Sequence, residues 1–136
     1  MKRLLPIALL FLAVPLFANP TLFSNYESVR QGLLKNSLKD VHANANKLTD
    51  AATEAKNEVI AKAADAVAKS ADLKSAREAF GKLSDEMIKL REKATGDKPG
   101  VAFCPMAKKS WLQSKKDAIS NPYEPAMKEC GMWVSQ

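Results

Sequence analysis

Both cysteines and three of the four methionines that follow the initiator Met fall in the last third of the chain. Cys104-Pro105-Met106 sets two sulfur side chains at i and i+2, one face of an extended segment. Met127 and Cys130 stand at i and i+3, one face of a helical turn. If the two segments pack together, Cys104, Met106, Met127 and Cys130 form a cluster of thiolate and thioether donors. Such donors are soft, and they suit monovalent copper or silver rather than a hard cation. His42 is the only imidazole in the chain, which argues against a zinc site built on histidine. The same two cysteines also have an ordinary reading. In an exported domain a lone pair of Cys usually forms a disulfide. A Cys104–Cys130 bridge would close a loop of about 27 residues, worth about 3.5 kcal/mol on a chain-entropy basis. Both readings stand at this level.

Catalysis is disfavoured. Cys104 with His42 lacks a third orienting group and an oxyanion signature. His42 sits in an Asn-rich stretch and reads as a solvated or interface residue. Asp85 and Glu86 are adjacent on a helix and diverge rather than pair. No dinucleotide-binding glycine motif, phosphate loop or zinc-protease motif is present. The chain is read as a non-enzyme.

The N-terminus carries an address. Met1-Lys2-Arg3 is a basic start and residues 4–18 hold no charged or polar side chain, a run too short to cross a bilayer. Residues 1–18 therefore read as a signal peptide and 19–136 as one exported domain, periplasmic or secreted, without a further membrane span. Losing Lys2 and Arg3 lowers the net charge from +6 to +4. The remaining lysines are interspersed with acidic residues and no aromatic–basic stripe is seen, so nucleic acid is a poor partner.

The elements that must position the sulfurs read as helices. Neither Gly nor Pro occurs between Gly32 and Gly81, and the stretch is rich in Ala. The first helix is expected over 21–35, with Leu22, Tyr26, Val29 and Leu33 on one face. A second begins near Leu38, carries Val41, Ala45, Leu48, Ala52, Ala55 and Val59, and continues toward Ala68. The third repeats Leu73, Ala76, Phe80, Leu83, Met87 and Leu90. Each stripe is a bundle core. Ser37 and Asp72 are the candidate caps. After Gly96-Asp97-Lys98-Pro99-Gly100, residues 101–104 suit an extended segment, and Pro125 opens a short helix that Gly131 stops. The expected fold is all-α: a small antiparallel bundle of three long helices, an irregular C-terminal segment and a short terminal helix.

Cys104-Pro105-Met106-Ala107, Trp111-Leu112, Ile119-x-Asn121-Pro122-Tyr123 and Met127-x-x-Cys130-Gly131 occur in fixed order. The series resembles an uncharacterised bacterial family of exported domains with the signature CPMA…WL…NPY…M..CG. That family is also found as the C-terminal domain of periplasmic adaptor subunits in copper/silver efflux systems. The resemblance implies heavy-metal handling, Cys104, Met106, Met127 and Cys130 as the sulfur set, and an efflux or other envelope protein as partner. Trp111, Asn121, Pro122 and Tyr123 are assigned to packing the tail. This chain departs from the pattern at Phe103, where a His is common, and at Glu124-Pro125, where a Gly is usual.

Overall fold

The computed structural model describes residues 20–136, so the expected signal peptide over 1–18 lies outside the described residues. Four helices come first: α1 (Pro20–Leu34), α2 (Leu38–Glu54), α3 (Glu58–Ala68) and α4 (Leu73–Lys93). They are followed by three short strands, β1 (Gly100–Cys104), β2 (Lys109–Gln113) and β3 (Met132–Ser135). The strands form one antiparallel sheet in the order β2-β1-β3. The all-α expectation is therefore wrong: the chain is a mixed α/β domain.

The apolar stripes position the helices. Leu22, Tyr26, Val29 and Leu33 of α1 are buried with Val41, Ala45, Leu48 and Ala52 of α2 and with Ala76, Phe80, Leu83 and Met87 of α4. Consecutive helices are joined by tight turns and lie against one another as antiparallel neighbours. The Ser37 hydroxyl accepts the Asp40 N–H at the start of α2. Asp72 and Ser75 form a reciprocal capping box at the start of α4.

Three corrections follow from the structure. The single helix expected from Leu38 toward Ala68 is two, because Lys56 adopts a left-handed φ of 55°. The Asn57 side chain then caps α3 by accepting the Ile60 N–H. The expected stripe does not run through the break: Ala55 and Val59 are exposed, and α3 buries Ile60, Ala64 and Val67 instead. Second, the segment after Cys104 is irregular only over 105–108 and 114–131. Trp111 and Leu112 are placed in β2 and Trp133 in β3, with Ala102 of β1 paired to both Trp111 and Trp133. Third, the short helix expected from Pro125 to Cys130 does not form. Met127 N–H donates to Glu124 O and Cys130 N–H to Met127 O, giving successive turns. The Asn121 N–H takes Lys128 O and the Asn121 amide takes Cys130 O, so two carbonyls that could extend a helix are engaged by the loop instead.

Candidate functional site

Cys104 ends the central strand β1 and is fully buried, whereas Cys130 lies half-buried in the turn that leads into β3. Their sulfurs are 3.3 Å apart and both thiols are free. Local structure holds the pair together. Gly131, beside Cys130, passes directly under Trp111: a Cβ built there would lie 2.7 Å from Cη2 of the indole and 3.0 Å from Ile119. Only glycine lets the turn come this close.

The two thiols are not equivalent. Burial pushes the Cys104 thiol up, but the Ala107 N–H donating to its sulfur at 3.3 Å, with Cys130, Met106 and Asn121, outweighs burial and leaves it below its ordinary value. The Cys130 thiol is raised, first by its hydrogen bond to Cys104 and then by burial and the charge on Cys104. The contact therefore favours ionisation at Cys104 over Cys130.

The two methionines of the sequence-derived set are not enclosed with the cysteines. Met106 is 66% exposed and Met127 38% exposed. Among the described residues, no group of three or more His, Cys, Asp or Glu side chains could hold a metal ion. His42 is half-buried, and its Nε2 lies 2.8 Å from the Ser70 carbonyl, tying α2 to the turn before α4.

Trp111, Asn121, Pro122 and Tyr123 are all buried. The Asn121 side chain accepts the N–H groups of Tyr123 and Glu124 and donates to the Cys130 carbonyl, fixing the segment that carries the second thiol. The Tyr123 hydroxyl lies 2.6 Å from Ser110 O and 3.0 Å from Ser84 Oγ. The Tyr26 hydroxyl lies 2.7 Å from Ser84 Oγ and accepts the Leu112 N–H. A carbonyl only accepts, so the Tyr123 hydroxyl is the donor to Ser110 O. Leu112 N–H donates to Tyr26, Tyr26 and Ser84 share a hydroxyl proton between them, and Tyr123 donates to Ser110 O and toward Ser84 Oγ. This chain of polarised bonds sews α1 and α4 to β2. Above it Tyr26 stacks on Phe80 and Trp111 meets Tyr123 edge-on.

Sequence reading missed the arginines that hold the loop over 114–131. Arg30 is buried and grips Glu27 through two bonds of 2.8 Å, while Nη1 donates to the Ser120 carbonyl and hydroxyl. Arg77 donates to the Pro122 carbonyl from α4. Gln113 Oε1 accepts the Trp111 indole N–H and the Ser120 N–H, and its amide donates to Ala118 O. The available signal was the position of Arg30, four residues after Tyr26 on the buried stripe of α1.

Two open grooves flank the molecule, about 670 Å³ beside the start of α1 and about 750 Å³ between α3 and α4. Neither is lined by a sulfur. No helix among the described residues is long and apolar enough to cross a membrane. The family described as protein of unknown function (DUF3347) matches the chain over residues 22–98. No curated protein and no solved structure matches it. The matched stretch covers the helices and stops before β1, so the sulfur-bearing sheet falls outside it.

Proposed function

The chain belongs to the DUF3347 family through its helices, and we propose that these carry a C-terminal interaction module locked by a Cys104–Cys130 disulfide. The observation that supports this reading is the 3.3 Å approach of the two sulfurs. Closing that gap to the roughly 2.05 Å of a disulfide requires a small shift of one turn. In the oxidising compartment proposed for the chain, an incoming disulfide would be attacked by Cys130, the accessible half-buried sulfur, once its proton has left to solvent or to Cys104. One oxidant thiolate leaves. Cys104 then attacks the Cys130 sulfur of the mixed disulfide and expels the second. Two protein thiols lose two protons and two electrons, and the oxidant gains both as two thiols.

Mass spectrometry of the protein, with thiols trapped at lysis, tests the lock. The expected mass is two hydrogens light with no trapped thiol. Reduction is expected to lower Tm by roughly 10–20 °C, from the 3.5 kcal/mol of loop closure spread over a domain of this size. Two trapped thiols, or a Tm that reduction leaves unmoved, would overturn the reading.

A second reading is favoured by the asymmetry of the pair. The Cys104 sulfur, which accepts the Ala107 N–H and is the more easily ionised of the two, is a soft donor beside Cys130, with Met106 in the same turn. Cys104, Cys130 and Met106, with Met127 nearby in sequence to Cys130, would take Cu(I) or Ag(I), in keeping with the efflux setting implied by the CPMA…CG series. For metal–sulfur bonds of about 2.3 Å in tetrahedral geometry the sulfurs stand about 3.8 Å apart, so the pair would open by about half an ångström. Competition of reduced protein against a Cu(I) chelator is expected to show binding that Cys104→Ser with Cys130→Ser abolishes and Met106→Leu weakens. Equal competition by the double variant would sink this reading.

A further inference from the structure

The groove between α3 and α4 has an apolar floor of Val59, Ala63, Ala66 and Ala79 and a charged rim. Val59 is 59% exposed, an aliphatic side chain pointing away from the core of its own domain. The alanines matter for a different reason: small side chains let a second helix approach closely. A helix face that only needs hydration has no use for such a floor.

The rim supplies the identity of the occupant. Along α4, Lys74, Glu78, Lys82 and Glu86 recur every four residues and line the groove. Their signs read plus, minus, plus, minus. A row at this spacing runs along one side of the helix. The row is antisymmetric about its midpoint, between Glu78 and Lys82. When the helix is reversed, every lysine falls opposite a glutamate: Lys74 meets Glu86, and Glu78 meets Lys82. A parallel copy would set like charges against each other. We infer that the α3–α4 face is a homodimer seam on which two copies of this chain pack α4 against α4, antiparallel about a two-fold axis.

The local alternative is that these residues pair along their own helix. The four do not pair with one another: Glu78 bonds Lys109 from β2 at 3.2 Å, and Glu86 bonds Lys89, one turn further along α4, at 2.8 Å. Among the described residues neither Lys74 nor Lys82 makes an ion pair, and of the two only Lys74 has an acidic neighbour acting on it, Asp72 at the start of α4. Two-fold packing provides each lysine with a facing glutamate, and the interface is self-complementary, as an isologous dimer requires. The face is small. At 1.5 Å per residue and about 10 Å per helix, α3 and α4 present roughly 500 Å², less than the roughly 800 Å² per partner of a standard interface. The dimer is accordingly weak and reversible, and sensitive to salt because the rim pairs are exposed.

The inference rests on neither the disulfide nor a metal. Sedimentation of the full chain tests it, at concentrations from micromolar to millimolar and at low and high salt. The wild type is expected to pass from monomer to dimer with rising concentration, and less readily at high salt. Glu78→Lys alone and Lys82→Glu alone each set like charges across the axis twice per dimer and are expected to raise the dissociation constant at least tenfold. The double swap, Glu78→Lys with Lys82→Glu, restores every opposite pair and is expected to return it to within threefold of wild type. Circular dichroism confirms that each variant keeps its helices, and Val59→Asp offers a second disruption that leaves the ion pairs intact. Cys104→Ser with Cys130→Ser is expected to leave the association unchanged, which separates failure here from failure of the disulfide. A chain that stays monomeric at millimolar concentration, a dimer indifferent to Glu78→Lys, or a double swap that does not recover would each overturn the proposal.

Discussion

The helical layer and the C-terminal sheet are held together by different means. Within the helices most polar side chains bond locally: Thr49 to Ala45 O, Asn44 to Asp40 O, Lys69 to Asp65. Long-range cohesion there comes from apolar stripes and from close approaches such as Gly32 against Val41. In the sheet and the loop over 114–131 the reverse holds. Arg30 reaches Ser120, Arg77 reaches Pro122, Tyr26 reaches Leu112, and Tyr123 reaches Ser110 and Ser84. A repeating pattern specifies the first region, whereas individual polar atoms specify the second. Conservative apolar exchange should be tolerated in one, and the loss of a single hydroxyl should be felt in the other.

The comparison breaks most severely at Phe80, which belongs to both regions. It is fully buried on α4, stacks on Tyr26 at 4.8 Å and meets Tyr123 of the loop at 5.9 Å. Phe80→Ala is expected to cost about 3–5 kcal/mol. Because the ring joins the two layers, far-ultraviolet and tryptophan signals should melt in one transition, before and after the substitution. Two separated transitions in the wild type would show that the sheet is an appendage and that the difference between regions is one of independence, not of construction.

Tyr123→Phe sharpens the same comparison with one atom. It removes the hydroxyl that donates to the Ser110 carbonyl and toward Ser84 Oγ and leaves both acceptors without that donor. The expected cost is about 1–3 kcal/mol, more than for a methyl-sized change at Leu33 or Leu48. Alkali reads the same network. Burial raises both tyrosine hydroxyls well above their ordinary value, partly offset at Tyr26 by Ser84 and Leu112. The unfolded chain ionises its tyrosines near pH 10, so the network's stability is intact below that pH and is lost as the pH rises above it. Tyr26 and Tyr123 are the only tyrosines. Phenolate absorbance should therefore appear only with unfolding, as one cooperative step. Gradual titration of a folded protein would contradict the buried relay.

What could be read in the sequence follows the same division. The periodicity of 22–33 and 73–90 describes α1 and α4 because each stripe is a local fact about one helix. The break at Lys56–Asn57 escapes such reading, since neither residue is a glycine or proline and the left-handed turn is stabilised by an Asn cap that also occurs within helices. Strands β2 and β3 escape it because Trp111 and Trp133 acquire meaning only when paired with Ala102. Of the sulfur set, sequence spacing carries no distance: Cys104 and Cys130 converge through Gly131 and Asn121, whereas Met106 and Met127 face solvent. Arg30, Ser84 and Gln113 are polar residues at helix and strand positions, and only the folded chain shows them buried and bonded.

The smallest expected effect isolates the thiol pair from the rest of the region. In the reduced protein the Cys104 thiol lies below its ordinary value, because the Ala107 N–H and then Cys130 outweigh its burial, and the Cys130 thiol lies above, first because of its bond to Cys104. The lowered group contributes stability above the ordinary thiol pKa, and this is lost as the pH falls through its folded value. The raised group contributes below the ordinary pKa, and this is lost as the pH rises through its folded value. The two contributions oppose each other, so reduced-state stability should vary little between pH 7 and 10. Thiolate absorbance is the sharper measurement. Two steps are expected, one on each side of the ordinary thiol range. Cys130→Ala removes a donor to the Cys104 sulfur and should move the remaining step upward without returning it fully, because the Ala107 N–H still donates. Cys104→Ala should move the Cys130 step down. A single wild-type step with two thiols at the ordinary value would mean that the sulfurs do not share a proton, and both readings of the pair would lose the contact on which they rest.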